Sequence, residues 1–506
     1  MLATVSSATL LGVEGCAIRV EVHVGNGLPG FSIVGLPDAT CREARDRVRA
    51  AVVSSGFKWP QHRITVNLAP TSVRKAGSGM DLPIAVGVLG ADGQLDPSLC
   101  DGIAFFGELG LDGSLRRLAG TLPLVGAARE PAVVVPVACA AEASLLGGTR
   151  VLAAVSLRNV VLAIAGQDQW SRVPGAAPAT EQDPGEDLAD VRGQPVGRLA
   201  VEVAAAGGHH LLLVGPPGAG KTMLARRIPG ILPPLTRAEA LDVTRVHSAA
   251  GLELPPGALV LRPPFRVPHH SASMVSLIGG GTTQIRPGEL SCSSHGVLFL
   301  DELGEFSSSV LDALRQPLED GAVVVCRARH SVRLPAQCLL VAAMNPCPCG
   351  GDGSPAGCRC SEAARARYAS KVSGPLLDRF DLRVAVDPPD VSDLVAPDPA
   401  ATETSATVAA RVARARGRAA ARGVRCNAAI PGRRLDELAA IDGASRRLLE
   451  HRLRQGRLSA RGMHRVRRVA RTLADLAGEE GAVAEEHVLA ALALRSEPFA
   501  PSRGVA

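Results

Sequence analysis

Apolar and polar positions change rhythm along the chain, and each change marks a region. Through residues 1–166, short apolar runs at 17–24, 64–67 and 132–137 read as strands. They alternate with helix-like stretches such as 39–55, the pattern of an α/β domain. Residues 167–187 (QDQWSRVPGAAPATEQDPGED) are polar and rich in Pro and Gly, a linker by composition. From 188 to 387 the apolar runs return as compact strands at 211–214, 297–300 and 338–344. A second breaker, 388–405 (PPDVSDLVAPDPAATETS), leads into a helical region, 406–506. There 458–476 (LSARGMHRVRRVARTLADL) reads as a basic amphipathic helix.

What those strands deliver decides the chemistry. The run 211–214 is followed by GPPGAGKT, which fits G-x-x-x-x-G-K-[ST] with Gly215, Gly220, Lys221 and Thr222 in the defined places and Pro216, Pro217, Gly218 and Ala219 between them. A helix-like stretch comes next, so the loop has the strand–loop–helix setting that closes backbone N–H groups around phosphates. In such a loop Lys221 reaches the β- and γ-phosphates of ATP, and the Thr222 hydroxyl ligates Mg²⁺. The run 297–300 ends in Asp301 and Glu302. Asp301 is expected in the Mg²⁺ shell, and Glu302 as the base that polarises the attacking water. The run 338–344 ends at Asn345, placed to hydrogen-bond the water or the γ-phosphate. In GPLLDRFDL (374–382), Arg379 is a candidate for the arginine that reaches a neighbouring subunit's γ-phosphate, which would require a ring. Arg461 and Arg465 are candidates for a nucleotide contact from the C-terminal region, and nothing in the sequence chooses between them.

Three further clusters change the picture. GAVVVCRARHSVRLPAQ (321–337) reads as two β-like arms around Arg327, Arg329, His330 and Arg333. Arginines at a hairpin tip bind phosphates without reading base sequence; a solvated surface hairpin is the alternative. PFRVPHHSAS brings Arg266, His269 and His270 together, for which a nucleic-acid or interdomain contact is expected. Cys347, Cys349, Cys358 and Cys360 follow as C-P-C-G-x₇-C-R-C, a set of thiolates suited to tetrahedral Zn²⁺, although C-x-C pairs are tighter than the usual zinc spacing. Reduced, metal-free cysteines are the alternative.

Composition sets the limits. Aromatics are 2% of the chain, so the cores must be built from Ala, Val and Leu. The chain shows no run of about 18 uncharged apolar residues and no basic leader before its first apolar stretch, so a cytoplasmic protein without a membrane span is expected. Twelve cysteines in such a protein are not a disulfide framework. Between Arg411 and Arg471 eighteen arginines face four acidic residues, enough positive charge to meet phosphates; but the chain has only four lysines, so Arg is also its default base.

The order of these motifs resembles the AAA+ superfamily. With RPPFRVPHHSASMVSLIGGG (262–281) and NPCPCG, the chain is identified by resemblance as a ComM/YifB-type, Mg-chelatase-like ATPase over nearly its whole length. The resemblance implies a central P-loop domain on a parallel sheet, a C-terminal helical lid, and a hexameric motor linked in some members to DNA branch migration in recombination and transformation. It extends more distantly to the motor subunit of magnesium chelatase and to MCM helicases, and it places the arginine hairpin in the pore of the ring. Residues 66–84 and 107–120 are similar to the proteolytic domain of Lon-type proteases. There the nucleophile position falls on Gly79 and the lysine position near Leu122, so a Ser–Lys dyad is missing and no protease activity is expected. The competing expectation is a chelatase-type motor that remodels a protein partner. A transcription-activating ATPase is disfavoured because no GAFTGA loop occurs.

Overall fold

The computed structural model describes the chain except residues 73–74, 76, 174, 176–184, 256, 282–283, 328–329, 352–357, 391–401 and 496–506. Part of the linker 167–187, most of the breaker 388–405 and the tip of the arginine hairpin lie outside the described residues.

The N-terminal region is built on a seven-stranded sheet. Its order is Gly30–Val34, Arg63–Ala69, Glu14–Gly25, Leu2–Leu11, Ile103–Phe105, Ala132–Pro136 and Arg150–Ala154. Leu2–Leu11 and Glu14–Gly25 pair antiparallel with Val5 opposite Val20, and alternate residues point into the core. The helix Ala39–Ser54 starts where expected, because the Asp38 side chain accepts the Cys41 N–H and caps it, a device worth about 1 kcal/mol. The strand expected at 132–137 is one residue shorter: Val137 opens the helix Val137–Ala143.

The central region carries a second sheet, all parallel, in the order Phe265–Arg266, Val297–Leu300, Leu339–Met344, Leu211–Val214, Leu382–Ala385. The residues of its three middle strands are all buried, as in a sheet covered on both faces. Three of these strands were legible as apolar runs. The two edge strands were not, because Phe265–Arg266 is only two residues long and Leu382–Ala385 is interrupted by Arg383. The order places Leu339–Met344 between the strand that leads into the P-loop and the strand that ends in the acidic pair. Asn345, Gly215 and Asp301 therefore emerge side by side at the C-terminal edge, where ligands bind in open α/β sheets.

The C-terminal helices share a core with this sheet: Val408, Val412, Leu449 and Val466 belong to one apolar cluster with Leu211, Leu213 and Val341. Part of the arginine set here is spent inside the chain. Arg411 forks onto Glu202 and Glu403, Arg416 donates to the Ala205 carbonyl, and Arg418 donates to the Asp475 carbonyl. Arg422 and Arg471 both pair with the fully buried Asp475 carboxylate. Others, among them Arg446, Arg447, Arg457 and Arg461, are exposed, so the stretch supplies both internal cross-links and open positive charge.

Candidate nucleotide site

Residues 215–222 form a tight loop because the chain demands it. Gly218 and Gly220 have φ of +80° and +87°, and a Cβ at either would meet no other group. At Gly215 the constraint is space: a Cβ would stand 2.0 Å from the Val386 carbonyl oxygen. The helix Lys221–Ile231 follows, with its N-terminus at the loop. Gln194 ties the loop down, its amide donating to the carbonyls of Ala219 and Asp387. Nothing in the sequence marked Gln194, which is one polar residue ahead of a helix.

Lys221 is buried, and its three donors meet three acceptors: the Gly215 carbonyl at 2.6 Å, the Pro216 carbonyl at 2.8 Å and Asn345 Oδ1 at 3.1 Å. Burial lowers its pKa from the usual lysine value, and the Asp301 carboxylate acts against that shift. Thr222 Oγ1 lies 3.0 Å from Asp301 Oδ2. A hydroxyl and a carboxylate at that separation, beside a phosphate-binding loop, fit a shared Mg²⁺ ion. Pro217, Gly218, Gly220, Lys221, Thr222, Met223, Asp301, Glu302 and Asn345 line one cleft of about 380 Å³.

Glu302 sits in left-handed backbone, φ +52°, with its N–H held by Asp301 Oδ1 at 3.0 Å. That turn splits the pair: Asp301 faces Thr222, while Glu302 Oε2 lies 3.3 Å from His270 Nδ1. His270 in turn has its ring 4.1 Å from that of His269. The contact expected of these histidines is therefore within the chain, to the candidate base. Arg266 is likewise committed, forking onto Glu289 at 2.6 and 2.8 Å, a bond that holds its pKa up.

Tyr368, the chain's one tyrosine, is buried beside this site. It packs tightly there: a Cβ on Gly304 would strike its ring at 2.4 Å. Burial pushes its hydroxyl up to about 12. Cys347, Cys349, Cys358 and Cys360 converge two residues after Asn345, with all four Sγ atoms within 4.8 Å of one another. Neighbouring Sγ distances are 3.0, 3.3 and 3.6 Å. Tetrahedral Zn–S bonds of about 2.3 Å put sulfurs about 3.8 Å apart, so the cluster fits a thiolate cage with slight expansion. A hydrogen bond from Cys347 pulls the Cys349 thiol down to about 6, while burial pushes Cys347 up to about 12 and the bond to Cys349 raises Cys360. The cage also touches the loop: a Cβ on Gly350 would be 3.2 Å from Pro217.

Arg379 is not part of this cleft. Its guanidinium pairs with Glu319, and its carbonyl accepts from Arg465, which also bonds Asp381. Arg465 is therefore engaged, while Arg461 is exposed with no ion-pair partner among the described residues. In the hairpin Ala322–Arg327 and His330–Pro335, Arg333 is exposed; Arg329 and the side chains of Arg327 and His330 lie outside the described set. In the N-terminal sheet, Gly79 and Leu122 are buried, and the Lys75 ammonium is buried against the Pro70 carbonyl.

Family models match in three successive blocks. Residues 187–394 match magnesium chelatase, subunit ChlI; residues 20–138 match subunit ChlI of Mg-chelatase; residues 402–495 match its C-terminal model. Competence protein ComM of Haemophilus influenzae is 41% identical over 98% of this chain and 97% of its own length. The chain belongs to the ComM/YifB-type, Mg-chelatase-like AAA+ family. The family includes YifB of Escherichia coli, 40% identical over 98% of this chain and 97% of its own length, and an uncharacterized protein of Mycobacterium tuberculosis, 44% identical over 97% of each. Membership supports an AAA+-type ATPase that uses ATP and Mg²⁺ and assembles as an oligomer. Among the described residues, no helix is long and apolar enough to cross a membrane.

Proposed function

We propose that the chain is an Mg²⁺-dependent ATP-hydrolysing ring motor, a hexamer that moves on single-stranded or branched DNA and promotes branch migration in the cytoplasm. The observation that carries the ATP half is the meeting of Lys221, Thr222, Asp301, Glu302 and Asn345 in one cleft. In the mechanism, the P-loop amides and Lys221 hold the phosphates, while Thr222 and Asp301 would hold Mg²⁺, which when bound would neutralise charge on the transferring phosphoryl group. Glu302 takes the proton of the attacking water, and Asn345 orients that water. Arg379 serves the neighbouring subunit's site and Arg461 the nucleotide from the helical lid, its free guanidinium favouring it over Arg465. The cysteine cage holds Zn²⁺ and orders the chain between Asn345 and Arg379.

The DNA half rests on exposed Arg333, on Arg327 and Arg329 a few residues before it in the sequence, and on similarity to a competence protein. The N-terminal region, Lon-like by resemblance, serves without proteolysis. A chelatase-type motor acting on a protein partner is the second reading, favoured by the family models named for magnesium chelatase. Steady-state ATPase rates with and without single-stranded and branched DNA separate the two. Stimulation that declines with salt supports the DNA motor, because phosphate contacts release counterions. A rate indifferent to both DNAs would overturn it in favour of the protein-remodelling motor.

A further inference from the structure

The first hairpin of the chain does not end in solvent. Leu2–Leu11 and Glu14–Gly25 are joined by Gly12 and Val13 alone. Gly12 has φ +67° and Val13 has no positive φ, the combination of a type II′ turn. Val13 is 6% exposed and lies in one apolar cluster with Val323, Val332 and Leu334. Those three belong to the arginine hairpin, whose register pairs Val323 with Leu334 and Val325 with Val332, so they share its buried face; Val324 and Arg333 lie on the exposed one. The approach is close: a Cβ on Gly12 would stand 2.4 Å from Val332 Cγ1 and 3.0 Å from Leu334 Cδ2.

A two-stranded hairpin is marginal by itself, so the surface that seats its apolar face sets its direction. This seat is held in place from a second side. Glu142 accepts the Leu122 N–H at 2.9 Å and the Ser248 hydroxyl at 2.6 Å, and the Gly120 N–H donates to the Ser248 carbonyl. Ser248 belongs to the central helix Arg237–Ala250. With two attachments, the turn cannot shift unless the whole N-terminal region moves.

We propose that the N-terminal region aims the arginine hairpin through the Gly12–Val13 turn, and that ATP turnover is coupled to DNA only while the turn is seated. This rests on the reading of the hairpin as the DNA contact. Gly12 and Val13 touch no nucleotide; they are positioning residues. The test uses the full chain as wild type, Gly12→Ala, and Gly12→Ala with Val332→Ala, measuring ATPase with and without single-stranded DNA. Gly12→Ala is expected to keep basal kcat and the KM for ATP within about twofold while DNA stimulation falls about fivefold or more. Val332→Ala removes the atom the new methyl strikes, and is expected to restore at least about half of the stimulation. The φ cost of alanine at position 12 is the same in both variants, so rescue isolates the contact from turn strain. Full stimulation in Gly12→Ala, or equal loss in single and double variants, overturns the inference alone. A wild type that DNA does not stimulate overturns the DNA reading and this inference with it.

Discussion

The two sheets of this molecule treat polar residues in opposite ways. The central sheet brings Lys221, Thr222, Asp301 and Asn345 to one open edge, each within hydrogen-bond reach of another. The N-terminal sheet, on the positions where a Lon-type protease would need its dyad, presents buried Gly79 and Leu122 and a lysine closed against the Pro70 carbonyl. A polar cluster facing a cavity has chemistry to do, whereas the same residue types folded inward hold structure. Two of the buried aspartates, Asp81 and Asp381, repeat the contrast. Burial pushes the Asp81 carboxyl up, more than its Arg47 fork pulls it down. Burial also pushes on Asp381, but the His209 hydrogen bond and the Arg465 charge outweigh it and hold that carboxyl well below the usual range.

The largest effect that would break this comparison is on ATP turnover. Arg379→Ala is expected to lower kcat by about 10³-fold, the low end for an arginine acting across a subunit boundary. Mixing it with Lys221→Ala should recover activity, since each supplies what the other lacks; recovery by neither mixing ratio would place Arg379 outside a neighbour's site. Glu302→Gln is expected to cost about 10²-fold or more in kcat with ATP binding retained, and normal turnover would remove Glu302 as base.

Next come the aspartates. Asp381→Asn should destabilise by about 3 kcal/mol, because it leaves Arg465 and His209 facing a lost charge. Asp381 has a depressed folded pKa, so its contribution is present above the unfolded value of about 3.9 and is lost as pH falls through the lower folded one. Asp81 has a raised folded pKa, so its contribution is present below the unfolded value and is lost as pH rises through the raised one. Urea unfolding of Asp381→Asn and Asp81→Asn across acid pH should therefore show slope changes of opposite sign, and like signs would end the contrast. The smallest effect belongs to Lys75→Met, which should change the ATPase rate by less than about twofold, as expected of a side chain that serves packing.

The cleft was legible because its motifs are contiguous: a strand, a loop and a helix start carry Gly215 to Thr222 in eight residues, and Asp301, Glu302 and Asn345 each follow directly on an apolar run. Its supports were not legible. Gln194 meets Ala219 and His270 meets Glu302 across 25 and 32 residues, and Tyr368 packs at Gly304, 64 residues before it, separations at which no periodicity reports a contact. Arg266 is similar: its partner Glu289 lies 23 residues on, and only the fold brings them together. Among the arginines of 411–471 the charge density is visible in the sequence, but the carbonyls and carboxylates that engage Arg416, Arg418 and Arg422 are not.

The three acceptors around Lys221 carry one more consequence. The lysine is saturated by these three, and one of them is the Asn345 amide oxygen. The two side chains therefore position each other: the ammonium fixes which way the amide points, and the amide holds the ammonium at the rim of the loop. A change at either residue is felt at both, so the loop and the neighbouring strand answer as one unit.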